Sequence, residues 1–404
     1  MTRSLVRKRC FVQMIGYEPV GVEHQHRRFT REMARFQKAW NVQGKVSPVS
    51  LSADSAVAHW TVNTFGPNWS VTTDYYYFRW DDFVSADIQE RDWWRFPLGI
   101  AALLEFILTG TAARYFITAW RYGGFFLLPL FYILGTGWLS IRLARSVGDH
   151  TDLPYSLFWT PLIALAVFVV LRNTFGRMLF IRYALDDWYF ARDVIHRVRP
   201  NIGERLDRFA SELVRLARET DADEIVVYGH SLGAPLSLVV VDRALQLDPL
   251  LAQRGKQLHL VSCGSSLLKL ALHPAAAWLR EAVGRVANSA AVYWVEFQAR
   301  ADIINAYMVD PVVALGITAT GKPIVKIIDI RLMVGKATYR RLHLNFLRIH
   351  RQATMGNERR YFYDYYMVCC GPIPLSQRVA NSDAAVAAFS ADGGVTGVWQ
   401  TAMS

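Results

Sequence analysis

A serine stands in a sharp turn between a predicted strand and a predicted helix. Residues 224–228 (EIVVY) have the β-branched and aromatic character of a buried strand, and residues 234–245 form an apolar run typical of a helix. The pentapeptide GHSLG, residues 229–233, joins them. Such a turn strains the backbone of Ser231 and lifts its hydroxyl above a sheet edge, and glycines at both ends let strand and helix cross closely.

Predicted strands and helices alternate on both sides of this turn. Period-two and β-branched runs predict strands, and wider apolar spacing with charged faces predicts helices. Alternation of this kind indicates an α/β fold, with a mostly parallel sheet covered by helices on both faces. The predicted strands cover residues 9–15, 56–65, 72–80, 225–228, 258–263, 291–297 and 324–333, and the predicted helices cover 25–40, 186–220 with a break near Pro200, and 337–352.

Two long uncharged runs interrupt this pattern. Residues 122–141 and 154–171 are each long enough to cross a hydrocarbon layer about 30 Å thick, and each carries Trp or Tyr towards an end. The short linker between them, residues 142–153, predicts a transmembrane helical hairpin. Residues 96–120 are apolar but contain Glu105 and Arg114, which leaves open a helix lying in the membrane interface or a cap helix over a site.

Basic residues predict the orientation and the partner of the chain. Five arginines flank the two spans and two lie in the linker, which favours both termini on the cytoplasmic side. The net charge of +11 suits an anionic membrane surface, and no zinc-finger or RRM signature indicates nucleic acid. The four cysteines show no spacing typical of a zinc site.

A serine nucleophile needs a base, and the base needs an acid to hold it. In sites built on such a turn the three residues follow the order serine, acid, histidine along the chain. Asp302 comes shortly after a predicted strand and is the preferred acid, whereas Asp310 before Pro311 has the position of a turn or cap residue and Asp329 lies in the middle of a predicted strand.

Two histidines follow these acids, and both lie in the predicted helix 337–352. His343 and His350 are seven residues apart, so they would share a helix face. His350 is preferred as the base because it lies at the end of the helix, where a side chain reaches a cleft more easily. His230, beside the serine, is expected to pack or to support the site. The tetrahedral oxyanion needs two amide donors, for which we nominate Leu232 and Tyr17.

These residues resemble the α/β-hydrolase superfamily, especially its lipases and esterases. The match rests on Gly229, His230, Ser231 and Gly233 as a nucleophile elbow, with a Gly-x oxyanion loop at Tyr17. The resemblance implies ester hydrolysis without a metal or an organic cofactor, by a hydrolase domain in two parts, residues 1–95 and 183–380. Residues 96–182 would form the membrane insert and 381–404 a flexible tail. Residues 350–372 resemble membrane-anchored bacterial relatives, which implies the inner membrane as the location.

The sequence thus predicts a membrane-anchored serine hydrolase that cleaves lipid or acyl esters through an acyl-enzyme. Ser231, Asp302 and His350 would form its triad, and the lipid bilayer would be its partner. Two alternatives use the same residues. One is a binding or scaffold protein that keeps the fold without turnover, and the other is an acyltransferase or thioesterase.

Overall fold

The computed structural model describes residues 5–89, 92–151, 156–178, 180–251 and 257–396. Its α/β architecture is built on a mixed sheet of nine strands in this part of the chain. The strands are β1 Lys8–Met14, β2 Gln43–Val46, β3 Ser50–Leu51, β4 Val57–Gly66, β5 Trp69–Phe78, β6 Glu224–His230, β7 Gln257–Cys263, β8 Val292–Ala299 and β9 Ile324–Ile328.

The sheet has a parallel body and an antiparallel margin. Its strand order is β2-β4-β5-β1-β6-β7-β8-β9, and β3 also pairs with β4. All neighbours from β5 through β9 in this order run parallel, whereas β2, β3 and β5 each pair with β4 in the antiparallel sense. The carboxyl ends of the parallel strands therefore lie along one edge, where the elbow follows β6. The prediction of a mostly parallel α/β sheet is confirmed at this level.

Helices cover both faces of the sheet, and each face has its own apolar core. Alternate residues of β1 enter opposite cores: Val12 belongs to the core that contains Leu213 and Val240, and Phe11 to the core that contains Phe29 and Tyr365. The helices of these layers are α1 Val22–Trp40, α2 Asp81–Gln89, α6 Ile181–His196, α7 Pro200–Glu219, α8 Gly233–Leu247, α9 Leu267–Ala271, α10 Ala277–Asn288, α11 Pro311–Ala314, α12 Ile330–Met333, α13 Lys336–Leu342, α14 Phe346–Arg351, α15 Tyr365–Cys370, α16 Leu375–Ala380 and α17 Ser382–Ala387, and a single 3-10 turn covers Gln352–Thr354.

The insert consists of α3 Asp92–Leu108, α4 Thr111–Thr151 and α5 Ser156–Met178. Helix α4 is bent at Ala119, whose backbone leaves the helical region (φ −152°, ψ 81°). The segments Thr111–His150 and Phe158–Gly176 are long and apolar enough to cross a membrane; 22% of the most apolar window of the first and none of the second is buried within the protein. The two helices pack together, and the Tyr132 hydroxyl donates to the carbonyl of Leu171 at 2.8 Å.

Two element boundaries and the packing of the tail differ from the sequence prediction. The predicted linker 142–153 is helical as far as Thr151, because its Arg, Leu and Ala residues favour continuation of α4. The predicted strand 324–333 ends at Ile328, since the Asp329 carboxylate accepts the amide of Arg331 and caps α12. The tail, expected to be flexible, packs in its described part: Ala385 and Val395 are fully buried in the core beside α1. Residues 397–404 of that prediction lie outside the described residues.

Candidate active site

The turn between β6 and α8 has the strained geometry expected of it. Ser231 adopts φ +56°, in the left-handed region that a non-glycine residue rarely occupies. Its amide donates to the carbonyl of Cys263 at 3.1 Å, and its carbonyl accepts the amide of Ala234 at 3.1 Å. Every residue of β6 is buried, whereas Ser231 is partly exposed. The sheet thus fixes the backbone while Ser231 itself remains partly exposed.

Glycines permit the close approach of β1 to this turn. A methyl group added to Gly16 would lie 2.7 Å from Ser231 Cβ and 3.0 Å from its Oγ. A methyl group added to Gly233 would collide with the carbonyl oxygens of Met14 and Ile15. Both positions therefore require the absence of a side chain, and for Gly233 the spacing of the elbow predicted this. The end of β1 is held directly against the serine.

The preferred acid and base come together at the same edge of the sheet. Asp302 follows β8, and its Oδ2 lies 2.7 Å from Nδ1 of His350 in α14. Both side chains are buried, and Asp302 Oδ1 also accepts the amide of Ile304 at 2.9 Å. Burial alone would raise the pKa of Asp302, but the neighbouring imidazole and these hydrogen bonds outweigh it and lower that pKa. The acid is therefore held as a carboxylate facing the imidazole.

This pairing decides which nitrogen of His350 can act as a base. Nδ1 donates its proton to the carboxylate, so the lone pair of the neutral ring lies on Nε2. Nε2 is buried and has no hydrogen-bond partner among the described residues. A buried acceptor without a partner is costly, and at a reactive site it marks a place prepared for a proton.

The turn after β7 lies between the serine and the acid–base pair. The amide of Ser266 donates to the Ser231 carbonyl at 3.1 Å. In the same turn, a methyl group on Gly264 would lie 3.0 Å from Cε1 of His350 and 3.2 Å from Oδ2 of Asp302. No hydrogen bond joins Ser231 Oγ to His350 Nε2 in the described part of the chain, and such contacts are commonly longer in unliganded sites.

His230 supports the imidazole of His350. The two rings lie 4.5 Å apart between centroids, and His230 Nε2 lies 3.1 Å from the His350 carbonyl oxygen. Burial, together with the neighbouring ring, lowers the pKa of His230 to about 3. A ring that stays neutral can hold the His350 backbone without competing for the proton of the serine. Its position fits the supporting role expected for it.

The nominated oxyanion donors flank the serine. Leu232 follows it directly, and Tyr17 follows the glycine that touches its side chain. In the described part of the chain, neither amide donates a hydrogen bond to the protein. The ring of Tyr17 is buried, 5.2 Å from that of Phe190, and the Tyr183 hydroxyl donates to the Tyr17 carbonyl. These contacts fix the backbone that carries the second amide.

The other candidates remain outside this arrangement. His343 is exposed, and its ring stacks on that of Tyr339. The predicted helix 337–352 is broken at Asn345, which caps α14. The two histidines therefore do not share one helix face. Asp310 caps α11 by accepting the amides of Val312 and Val313, which is the cap role considered for it.

One buried ion pair near the site was not anticipated. Glu18, directly after Tyr17, accepts Arg351 Nε at 2.8 Å and Arg28 at 2.9 Å. Burial alone would raise the pKa of Glu18, but the two guanidinium groups lower it to about 2. Arg351 directly follows His350, so this contact ties the segment of Tyr17 and Glu18 to the helix that carries His350. The only sequence signal for it is adjacency to two residues already nominated.

A separate group of two histidines and a glutamate has the spacing of a metal site. Among the described residues Glu105, His196 and His273 place their ligand atoms within 4.8 Å of one another. However, His273 Nδ1 accepts the amide of Ala275 at 3.2 Å, which places its proton on Nε2, facing Glu105 Oε1 at 3.6 Å. Arg192 already occupies the other carboxylate oxygen. The donor set fits a hydrogen-bonded carboxylate better than a metal site.

Comparisons of the chain with protein-family models, with curated proteins and with solved structures found no match. The inference of a function therefore rests on the geometry of the chain itself.

Proposed function

We propose that this chain is a membrane-anchored serine hydrolase of α/β-hydrolase type that cleaves lipid or acyl esters. The observation that carries the proposal is the buried Asp302–His350 pair, with its lone pair on Nε2, beside a serine held at positive φ. Its order along the chain, serine then acid then histidine, is that of α/β-hydrolases.

The chemistry follows from these groups. Ser231 Oγ attacks the ester carbonyl carbon while its proton passes to His350 Nε2, and Asp302 stabilises the imidazolium. The amides of Leu232 and Tyr17, which have no hydrogen-bond partner among the described residues, would bind the oxyanion. The carbon–oxygen bond to the alcohol then breaks, and the alcohol leaves with the proton from His350. Water then attacks the acyl carbon and gives a proton to the same nitrogen. The bond from that carbon to Ser231 Oγ breaks, the serine oxygen takes the proton back from His350, and the acid is released.

The apolar surface of the insert supports the membrane part of the proposal. Side chains on α4 and α5 that would be buried in a water-soluble protein are more than half exposed. A hydrocarbon environment would remove them from water, and the basic flanks favour both termini in the cytoplasm. The side chains concerned are Phe131, Leu134, Trp138, Phe158, Leu165 and Val170.

A fluorophosphonate probe on the full-length, detergent-solubilised chain tests the proposal. We expect labelling of the wild type and none of Ser231→Ala. Labelling and hydrolysis of p-nitrophenyl butyrate should fall about 10⁴-fold in His350→Ala and Asp302→Asn, because each removes part of one proton-transfer unit.

His343→Ala is the matched control, since this exposed histidine has no contact with the pair, and it should retain wild-type activity. Absence of labelling in folded wild type, or full activity of His350→Ala, would contradict the proposal and favour a binding or scaffold role.

A further inference from the structure

Helix α4 contacts both segments that carry the acid and the base. The guanidinium of Arg121 lies 5.7 Å from the ring centre of Tyr307, five residues after Asp302. One helical turn further along α4, the ring of Phe125 lies 5.5 Å from that of Phe346, at the start of the helix that carries His350. The loop that follows the acid and the segment before the base therefore flank one short stretch of α4.

Exposed apolar side chains project from these segments. Met308, next to Tyr307, is 70% exposed, and Leu344, two residues before Phe346, is 83% exposed. Met308 also adopts φ +60°, a left-handed conformation that is unfavourable for a residue with a side chain. An exposed apolar residue held in such a conformation indicates a function other than packing.

The adjoining turn of α4 also exposes apolar side chains. Ile117 is 85% exposed and Trp120 is 72% exposed. The uncharged run of α4 begins at Tyr122, directly after Arg121. Trp and Arg at the start of a span are typical of the interface between lipid headgroups and hydrocarbon. With α4 across a bilayer, the tips Met308 and Leu344 would lie level with that interface.

We propose that Met308 and Leu344 insert into the membrane interface beside α4, and that Ser231 receives its ester from the bilayer. The substrate class is then a membrane lipid with long acyl chains rather than a water-soluble ester. The insertion rests on the exposure of these side chains and on the membrane anchoring in the proposed function, while the assignment of substrate class also rests on its hydrolase activity. Two experiments therefore test the two parts separately.

Insertion is tested without activity. Met308→Cys and Leu344→Cys are labelled with an environment-sensitive NBD fluorophore in the full-length chain, in nanodiscs of phosphatidylcholine with phosphatidylglycerol. The four native cysteines are buried, so labelling is selective. We expect blue-shifted emission that spin-labelled lipid quenches.

Leu247→Cys is the matched control, because this exposed leucine ends α8 at the opposite edge of the sheet. Its label should be quenched by iodide in water. Labels at Met308 and Leu344 that behave like the one at Leu247 would overturn the insertion.

The substrate class is tested with Met308→Asn/Leu344→Asn, since asparagine tolerates positive φ and removes the apolar tip. We expect kcat/KM for a fluorescent diacyl phospholipid in vesicles to fall about tenfold or more, as lost burial of two apolar side chains implies. Hydrolysis of p-nitrophenyl butyrate in detergent should stay within about twofold.

Equal losses on both substrates, or no loss on the vesicle lipid, would refute the assignment of substrate class. A wild type that hydrolyses neither ester would refute the proposed function and this assignment with it, while the fluorescence result would still decide the insertion.

Discussion

The α/β layers and the helical insert follow one physical rule in two different ways. In the layers, apolar residues of the strands meet helices on both faces and are almost fully buried, as Val12 and Phe11 on opposite faces of β1 illustrate. In α4 and α5, residues of the same kind point outward, and Leu165 is 60% exposed. Burial of apolar surface stabilises both regions only if lipid replaces protein around the insert.

Close packing of Gly233 against the end of β1 gives the largest expected effect. Gly233→Ala forces a methyl group against the Met14 and Ile15 carbonyls, which belong to backbone and cannot rotate away. We expect a loss of at least about 3 kcal/mol in the free energy of unfolding, measured by urea denaturation of the detergent-solubilised chain.

Gly203→Ala is the control, because this helical position has no atom within 4 Å of the added methyl group. Its higher helix propensity should stabilise the chain by up to about 1 kcal/mol. Equal effects of the two substitutions would show that packing around Gly233 is looser than described.

A charge introduced on the insert tests whether the insert, unlike the α/β layers, is surrounded by lipid. Leu165→Arg places a guanidinium at an exposed position of α5, which costs nothing in water but about 2.5 kcal/mol in hydrocarbon. We expect a fall in the fraction of chain that resists carbonate extraction from membranes. Leu247→Arg, equally exposed at the end of α8, should leave that fraction unchanged. Equal behaviour of the two variants would mean that α5 does not enter the bilayer.

Removal of the buried charge of Glu18 gives the smallest expected effect on stability, and this effect depends on pH. The pKa of Glu18 is lowered from 4.5 to about 2 in the folded chain, so its ion pairs stabilise fully above pH 4.5 and this contribution is lost as the pH falls towards 2. Glu18→Gln should therefore lower stability by about 2 kcal/mol more at pH 6 than at pH 3.

Thermal unfolding across this pH range is the measurement. Glu23→Gln, an exposed change in α1, should reproduce the wild-type pH profile. A wild-type profile for Glu18→Gln would mean that the pair is not formed in solution.

The sequence located the regular elements better than their ends. Period-two patterns placed β4 and β5 within a few residues, because alternation continues until the chain turns. Helix ends were missed where one polar side chain decides them: Asn345 divides the predicted helix 337–352, and Asp329 ends a strand. Such caps are weak local signals that compete with strong apolar runs.

For the site, chain order alone was not sufficient, since many acids and four histidines follow Ser231. The positions of Asp302 after a predicted strand and of His350 at the end of a predicted helix singled out the two residues that the structure pairs. Contacts between distant segments could not be read from local pattern. Glu18 and Arg351 are 333 positions apart, and the packing of the rings of His230 and His350 depends on how α14 returns to the sheet. Those contacts depend on tertiary packing, which a single sequence does not encode in any short window.

The backbone of Ser231 carries a further consequence. Its left-handed conformation would suit glycine, yet a side chain is retained there at a cost of about 1–2 kcal/mol. Ser231→Gly should consequently yield a protein that melts higher while lacking the nucleophile. At this one residue, thermal stability favours glycine and nucleophilic chemistry requires the hydroxyl. The chain keeps the hydroxyl and is less stable for it.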